Sequence, residues 1–529
     1  MGQCYITRRG TKTGGAVQQL GIYPTGSDGR PTGNVTVLDN VTTLSKYPFI
    51  GNGNVLTIAL PENLRGLADY CFQKCTSLQN ISIPNKVTAI SQYCFDGCTS
   101  LSKATLSKSL TSIGQYAFQN CSNLYDIVIP NEIESLQINQ YAFSGCSLDN
   151  ETVSKLASLC SGTIYSYAFA NITSITEITA SYVTNYYFSG CTNLKKATIL
   201  NPLNSGNFGQ YVFNNCSNLT TVILPNNATK LDDYMFNGNT SLTNINIPTS
   251  LISIGSNAFC NTGIDNITLP DTLTAISSGA FNGCTKLTSI NIPDKVTTIG
   301  ENAFYNCTNL TSVIVSENAK YTIGQYAFQS TGVTDACVAN IMSHASSVES
   351  YTFDKCNSLE NVEVKYFWTN MFSNCSNLKT AKSTGLSSSG STGNNVFYSD
   401  KALETVILSD GTTTIGTNVF YGCTSLKTVY LPSSITTATD NSLTSTSNYY
   451  YAFYNCTALE DVQLGQDWNM SLRLNVSNNL TVQSMVAMFN SLKDLTGETA
   501  KTLTLGSTNL AKLTDEQKAI AINKNWTLA

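Results

Sequence analysis

The sequence is short of charge, of histidine and of long apolar runs. Asp, Glu, Lys and Arg make up 12% of its 529 residues, against roughly 25% in an ordinary soluble domain. So little charge would fit a membrane protein, yet no stretch approaches the about 18 consecutive apolar residues that a spanning helix needs. Ser, Thr and Asn fill the polar remainder and suit a stacked, β-rich body. The net charge is −5 and no basic stripe stands out, which argues against nucleic acid as a partner. An electrostatic membrane anchor needs a polybasic cluster, and arginines adjoin only at Arg8–Arg9. The opening Met1–Ile6 lacks the apolar core of a secretory signal, and Ile6 stands where a myristoylation site needs Ser or Thr. The expectation is a chain that does not insert into a membrane or enter the general secretion route by itself.

What is present is a repeat. A phenylalanine recurs with Tyr or Ala before it, Cys three after, Leu six after, then an alternating Ile/Val pair and often Pro. One unit reads Ala117, Phe118, Cys121, Leu124, then Ile127, Val128, Ile129 and Pro130; another reads Ala303, Phe304, Cys307, Leu310, then Val313, Ile314 and Val315. Seventeen such anchors run from Phe72 to Phe453, most of them 22 to 26 residues apart. That period lies in the leucine-rich range of about 20–29. Ile127 and Ile129, two apart, face one side of a short strand while Val128 faces the other. Pro130 ends the strand because it offers no ladder N–H. One turn cannot bury its own apolar side, so such turns stack on a shared core.

A longer order overlies the short one. Phe143, Phe169, Phe188, Phe213 and Phe236 recur 184 or 185 positions later at Phe328, Phe353, Phe372, Phe397 and Phe420. Each set has one shortened step of nineteen residues, preceded by a helix-like stretch (Glu151–Leu159, Thr334–Ser343). A tandem duplication of about eight repeats is inferred. The expected fold is therefore a β-rich leucine-rich-repeat solenoid with a small α/β C-terminal cap. Residues 1–45 form an N-terminal cap or attachment segment that includes the loop-rich Tyr23–Gly29. The solenoid covers 46–470, with loop tracts at Ser383–Asn395 and Ser433–Tyr451. Residues 471–529 form the cap or attachment module, with a helix over Val482–Leu495, a strand over Thr502–Leu505, a capping box at Thr514–Gln517 and a last strand at Trp526–Leu528.

Chemistry-bearing residues are few. Twelve of eighteen cysteines sit three after an anchor, from Cys75 to Cys456. Recurrence at one structural position points to packing, as a column of reduced, buried thiols. Cys71/Cys75 and Cys94/Cys98 have the spacing of metal half-sites, but no histidine or second close pair completes them. His344, the only histidine, is read as a surface or loop residue, although any Ser-His-Asp or Cys-His mechanism would have to use it. Asp232–Asp233 is read as a solvated turn, not a glycosidase pair, because adjacent residues do not face one another. No catalytic residue, cofactor or metal is expected. The expected ligand-binding surface is the outward side of the strands: Ser82, Thr105, Val128, Ile223, Asn246, Thr268, Asn291, Ile314, Glu363, Ile407, Tyr430 and Gln463. Hydroxyls and amides with interspersed apolar groups suit a glycan or protein partner.

The unit Phe-x-x-Cys-Thr/Ser-x-Leu-x-x-x-x-Ile-Pro-x-x-Val-Thr-x-Ile-Gly, complete at Phe281, Cys284, Leu287, Ile292, Pro293, Val296, Thr297, Ile299 and Gly300, resembles the BspA-like leucine-rich repeat family over roughly residues 60–465. The resemblance implies a surface protein of a host-associated microbe that binds matrix proteins, cells or partner microbes, with no catalytic residues to carry over. The opening Tyr5–Gly10 and the closing Leu505–Leu510 and Asn525–Ala529 resemble the termini of tail-associated proteins of phages and prophages of gut bacteria. That second resemblance implies a virion tail location, with other tail proteins and a bacterial surface glycan or protein as partners. The alternative is a secreted or cell-surface adhesin, and a carbohydrate-active enzyme is a minor third reading. Homo-oligomers are common among tail proteins, but no coiled-coil heptads argue for one here.

Overall fold

A computed structural model describes residues 21–22, 26–27, 30–160, 165–385, 390–446 and 451–529. The Tyr5–Gly10 motif, most of the Tyr23–Gly29 loop, and residues 386–389 and 447–450 of the two loop tracts lie outside the described residues. The chain divides into two compact units, Met1–Ile264 and Asp265–Ala529.

Each unit is built from turns of one plan. In the first unit, Val55–Ala59, Asn80–Ser82, Lys103–Thr105 and Asp126–Val128 pair in parallel, one strand per turn. A second row of two-residue strands (Thr43–Leu44, Gly66–Leu67, Ala89–Ile90, Ser112–Ile113, Gln137–Ile138) returns along another side. The inward residues of both rows, such as Ile81, Ala104, Ile127, Ile90 and Ile113, are buried. Just after Ser112–Ile113, at Gly114, neighbouring turns approach so closely that a side chain would collide. A Cβ on Gly114 would lie 2.7 Å from the backbone nitrogen of Gln92.

The anchors form the spine of the core. In the first unit neighbouring phenylalanine rings stack with centroids 5.0 to 5.9 Å apart. The stack begins one turn earlier than the repeat motif indicates. Phe49 lies 5.2 Å from Phe72 and is buried, although its turn carries Asn52 where cysteine is expected. In the second unit the rings from Phe281 to Phe453 stack at 5.0 to 6.2 Å.

Twice a helix stands in a strand's place. Helix α1 (Asn150–Leu159) and helix α2 (Asp335–His344) are capped by Asp149 and Thr334, whose side chains accept from the Thr152 and Cys337 nitrogens. A helix has no free edge to pair with the next strand, so its side chains do so. The Asn150 carbonyl oxygen accepts from the Thr176 nitrogen at 2.8 Å and from that of Glu177 at 3.2 Å. The Asp335 carboxylate accepts from the Glu360 and Asn361 nitrogens, both at 3.0 Å. The two helices lie 185 positions apart, and the strands that follow, Glu177–Ala180 and Asn361–Val364, lie 184 apart. The inferred duplication is therefore present element by element.

The chain closes on helix α3 (Val482–Ser491), which lies against Asp461–Leu464 and ends four residues before the expected Leu495 because Leu492 is already extended. A three-stranded parallel sheet follows (Leu472–Arg473, Lys501–Thr504, Trp526–Leu528). The capping box at Thr514 and Gln517 forms as expected. Trp468, Met485, Met488 and Phe489 are buried beneath this α/β element. The Lys524 ammonium donates to the carbonyls of Phe489, Asn490 and Leu492 at 3.2, 2.8 and 2.8 Å. It thus satisfies the open C-terminal carbonyls of α3.

Candidate functional site

The outward strand residues fall into separate panels. In the first unit Ser82, Thr105 and Val128 lie side by side in register. Helix α1 takes the next position, and a second panel holds Thr179, Thr198, Ile223 and Asn246. Thr179 and Thr198 belong to the same series, ten after Phe169 and Phe188, and sequence reasoning passed over them. In the second unit Thr268, Asn291 and Ile314 form one panel. Beyond α2, Glu363, Lys382, Ile407, Tyr430 and Gln463 form another. Within a unit the residues do not make the single ribbon that the repeat alone implied, because each helix interrupts it.

The panels mix uncovered apolar groups with committed polar ones. Val128, Ile223, Ile314 and Ile407 are 40%, 43%, 61% and 38% exposed. Asn246 bridges the preceding strand, accepting from the Leu224 nitrogen and donating to the Leu224 oxygen, both at 2.7 Å. Asn291 does the same at Leu269, at 2.7 and 2.8 Å. These two amides extend the sheet's hydrogen bonding and are not free for a ligand. Glu363 pairs with Lys382 at 3.4 Å, and the Tyr430 hydroxyl donates to Asp410 at 2.7 Å. Exposed pairs of this kind contribute about 0–1 kcal/mol.

The cysteine column is buried and unbridged among the described residues. Its thiols do more than fill space. In eleven of the twelve turns, from Cys75 to Cys456, the Sγ donates to the carbonyl of the anchor phenylalanine one turn back, at 3.0 to 3.3 Å. Burial pushes the Cys75 and Cys191 thiols up to about 12, so they stay protonated and unreactive. Where cysteine is missing, Ile172 fills the place once and a polar side chain stands in at Asn239, Thr262, Thr331 and Asp400. The Asn239 oxygen accepts from the Cys216 nitrogen at 2.9 Å and the Asp400 carboxylate from the Cys375 nitrogen at 2.7 Å. Among the described residues no three His, Cys, Asp or Glu cluster as a metal site would require.

The other polar candidates have structural partners. Asp232 is not a solvated turn residue. It is buried and accepts from the Phe208 and Gly209 nitrogens, both at 2.8 Å, while Asp233 accepts from the Ser256 nitrogen at 2.8 Å. Its apolar neighbours in sequence, Leu231 and Met235, were the available signal. His344 ends helix α2, with Nδ1 2.9 Å from both the Ser343 hydroxyl and the Asn340 carbonyl. A shallow cleft of about 400 Å³ in the second unit is lined by Gln325, Glu349, Ser350 and Trp368.

One surface feature was missed altogether. Nine tyrosines, each two residues before an anchor, stack from Tyr47 to Tyr234 in the first unit with centroids 4.2 to 5.1 Å apart. Eight are half-buried and Tyr47 is exposed. All nine have φ between 53° and 67°, a region that bulky residues rarely enter. The sequence signal was the Tyr-x-Phe spacing itself.

A regular parallel solenoid with one phenylalanine and one buried cysteine per turn defines a class of leucine-rich-repeat protein. The model of the BspA type leucine rich repeat region matches this chain over residues 42–161, 137–261, 229–360 and 322–450, and the chain belongs to that family. No curated protein matches it. Among solved structures, a leucine-rich repeat protein from Bacteroides ovatus is similar at 21% identity and a TM-score of 0.39, over 79% of this chain and 95% of its own. A leucine rich cell surface protein from Faecalibacterium prausnitzii is similar at 22% and 0.28, over 86% and 95%. The pneumococcal vaccine antigen PcpA is similar at 16% and 0.36, over 61% and 89%.

Proposed function

We propose that this chain is a non-catalytic recognition protein whose solenoid binds a cell-surface glycan or protein through its outward strand panels. The observation that carries the reading is the set of uncovered apolar side chains, Val128, Ile223, Ile314 and Ile407, on strands whose opposite side is fully buried. Apolar groups among hydroxyls and amides are the composition of a wet recognition surface. Charge reversal tests it. Val128→Lys with Ile223→Lys leaves the inward side of each strand unchanged and should abolish binding of the purified chain to intact target cells. Unchanged binding would remove the panels from the reading.

We further propose that the protein acts on a virion tail. The resemblance of Leu505–Leu510 and Asn525–Ala529 to tail-associated proteins supports this placement. Family membership supports the alternative of a cell-envelope adhesin. Immunogold electron microscopy of the producing culture separates them: label on particle tails supports the first, and label on envelopes without particles supports the second. Among the described residues no helix is long and apolar enough to cross a membrane, so an envelope location would rest on another means of attachment.

A further inference from the structure

Every turn of the first unit has two positions in the left-handed region, one two residues before the anchor and one two after. The later position is filled in the first unit by asparagine or glycine, among them Asn120, Asn171, Asn215, Gly97, Gly145 and Gly190, with Lys74 the one exception. The earlier position carries tyrosine nine times in succession. Asn257 shows that asparagine serves there equally well. A non-glycine residue held in this region costs of order 1 kcal/mol or more. Stacking returns about 0.5–1.5 kcal/mol per ring pair, so the ladder roughly offsets its own strain and leaves the choice of tyrosine unexplained by stability.

The rings cover one another's faces, with interplanar angles of 4° to 17° in all but the first pair. Since the residues are nonetheless only half-buried, what meets solvent is the row of ring edges and hydroxyls. The residues just before the central tyrosines are Gln92, Gln115, Gln140, Ser166, Asn185 and Gln210. None is charged. Burial first, and the neighbouring phenols second, hold Tyr93, Tyr167 and Tyr211 above the ordinary tyrosine range.

We infer that the tyrosine ladder is a binding rail for a linear, neutral polysaccharide lying along it, roughly one sugar per tyrosine. Three observations select this occupant. The rail repeats every 4.2 to 5.1 Å, a step that one pyranose of an extended, equatorially linked chain matches. An extended peptide advances only ~3.3 Å per residue and falls out of register with the rings. Along the six central steps the flanking amides and hydroxyls and the phenols are uncharged and offer no cation to an acidic polymer, and Lys46, beside the first tyrosine, is already paired with Asp69 at 2.8 Å. The rings are already locked by their neighbours, so little side-chain freedom is lost on binding.

This inference rests on the recognition reading above but places the glycan on a different surface, so the two fail separately. The test is calorimetric titration of the full-length chain with neutral β-1,4-linked gluco-, xylo- and N-acetylglucosamine oligosaccharides, from disaccharide to octasaccharide. Affinity for at least one series should rise with each added sugar. Tyr116→Phe with Tyr141→Phe and Tyr167→Phe keeps the stack and removes three hydroxyls. It should weaken the longest oligosaccharide by about tenfold or more, the size of one to three lost hydrogen bonds, with an unchanged melting temperature. Val128→Lys with Ile223→Lys should leave that affinity unchanged. The inference is overturned if no series binds, if affinity does not grow with length, if the triple Phe variant binds as well as the parent, or if only the panel variant loses binding.

Discussion

Asp400 occupies the cysteine position of its turn, fully buried, with one carboxylate oxygen on the Cys375 nitrogen and the other without a partner. Burial raises its pKa well above the carboxylate range, and the nearby Asp354 pushes the same way. The unfolded chain gives up this proton near pH 4, whereas the folded chain retains it. The residue therefore costs stability progressively as pH climbs from about 4 toward its folded pKa, and the cost is absent below. Asp400→Cys should raise the stability by about 1–3 kcal/mol at neutral pH, the penalty of one unsatisfied buried group. The gain should be smaller at pH 4, as denaturant titrations at the two values would show. The thiols give a second residue-scale expectation. Of the described cysteines only Cys337 is not buried, so it should be the first of them alkylated in the native protein, as peptide mapping would reveal. Phe213, buried between rings at 5.8 and 5.9 Å, should cost about 3–5 kcal/mol when replaced by Ala.

Elements are held where hydrogen-bonding plans change. Asp335 satisfies two strand nitrogens that a helix cannot, so Asp335→Ala should lower stability by about 1–3 kcal/mol and speed amide exchange at Glu360 and Asn361 in particular. The helices and strands were legible in the sequence because period and caps are local signals: Asp149, Thr334 and Thr514 each precede an apolar helical pattern. What side chains do across turns was not legible. Asn150 and Asp335 read as ordinary helix-start residues, and Asn246 and Asn291 read as free surface amides, because their partners lie one turn away. Phe49 was hidden by the substitution of Asn52 for cysteine. The tyrosine ladder was hidden by its own conformation, since nothing in the composition of a turn announces a positive φ on an aromatic residue.

For the molecule as a whole, the repeated block means that one solution to an interrupted solenoid was used twice. Residues 137–261 and 322–450 both match the family's repeat model, and both hold a helix in place of one strand. The last strand of the repeats, Asp461–Leu464, is covered by α3. Deleting residues 472–529 should leave a soluble-fraction yield well below that of the full chain, with self-association visible by light scattering, because an open solenoid end exposes its core and an unpaired edge. An undiminished, monomeric yield would show that the segment serves attachment alone.

The thiol column also constrains where and when the chain can be made. Eighteen cysteines in a protein proposed to work outside a cell would ordinarily be exposed to oxidation and mispairing. Once folded, the column is sealed. Eleven of its twelve thiols are engaged with a carbonyl, and the most deeply buried are too weakly acidic to ionise. Before folding, nothing protects them. Such a molecule should therefore reach its native state in higher yield in a reducing medium than in an oxidising one, where unfolded thiols mispair.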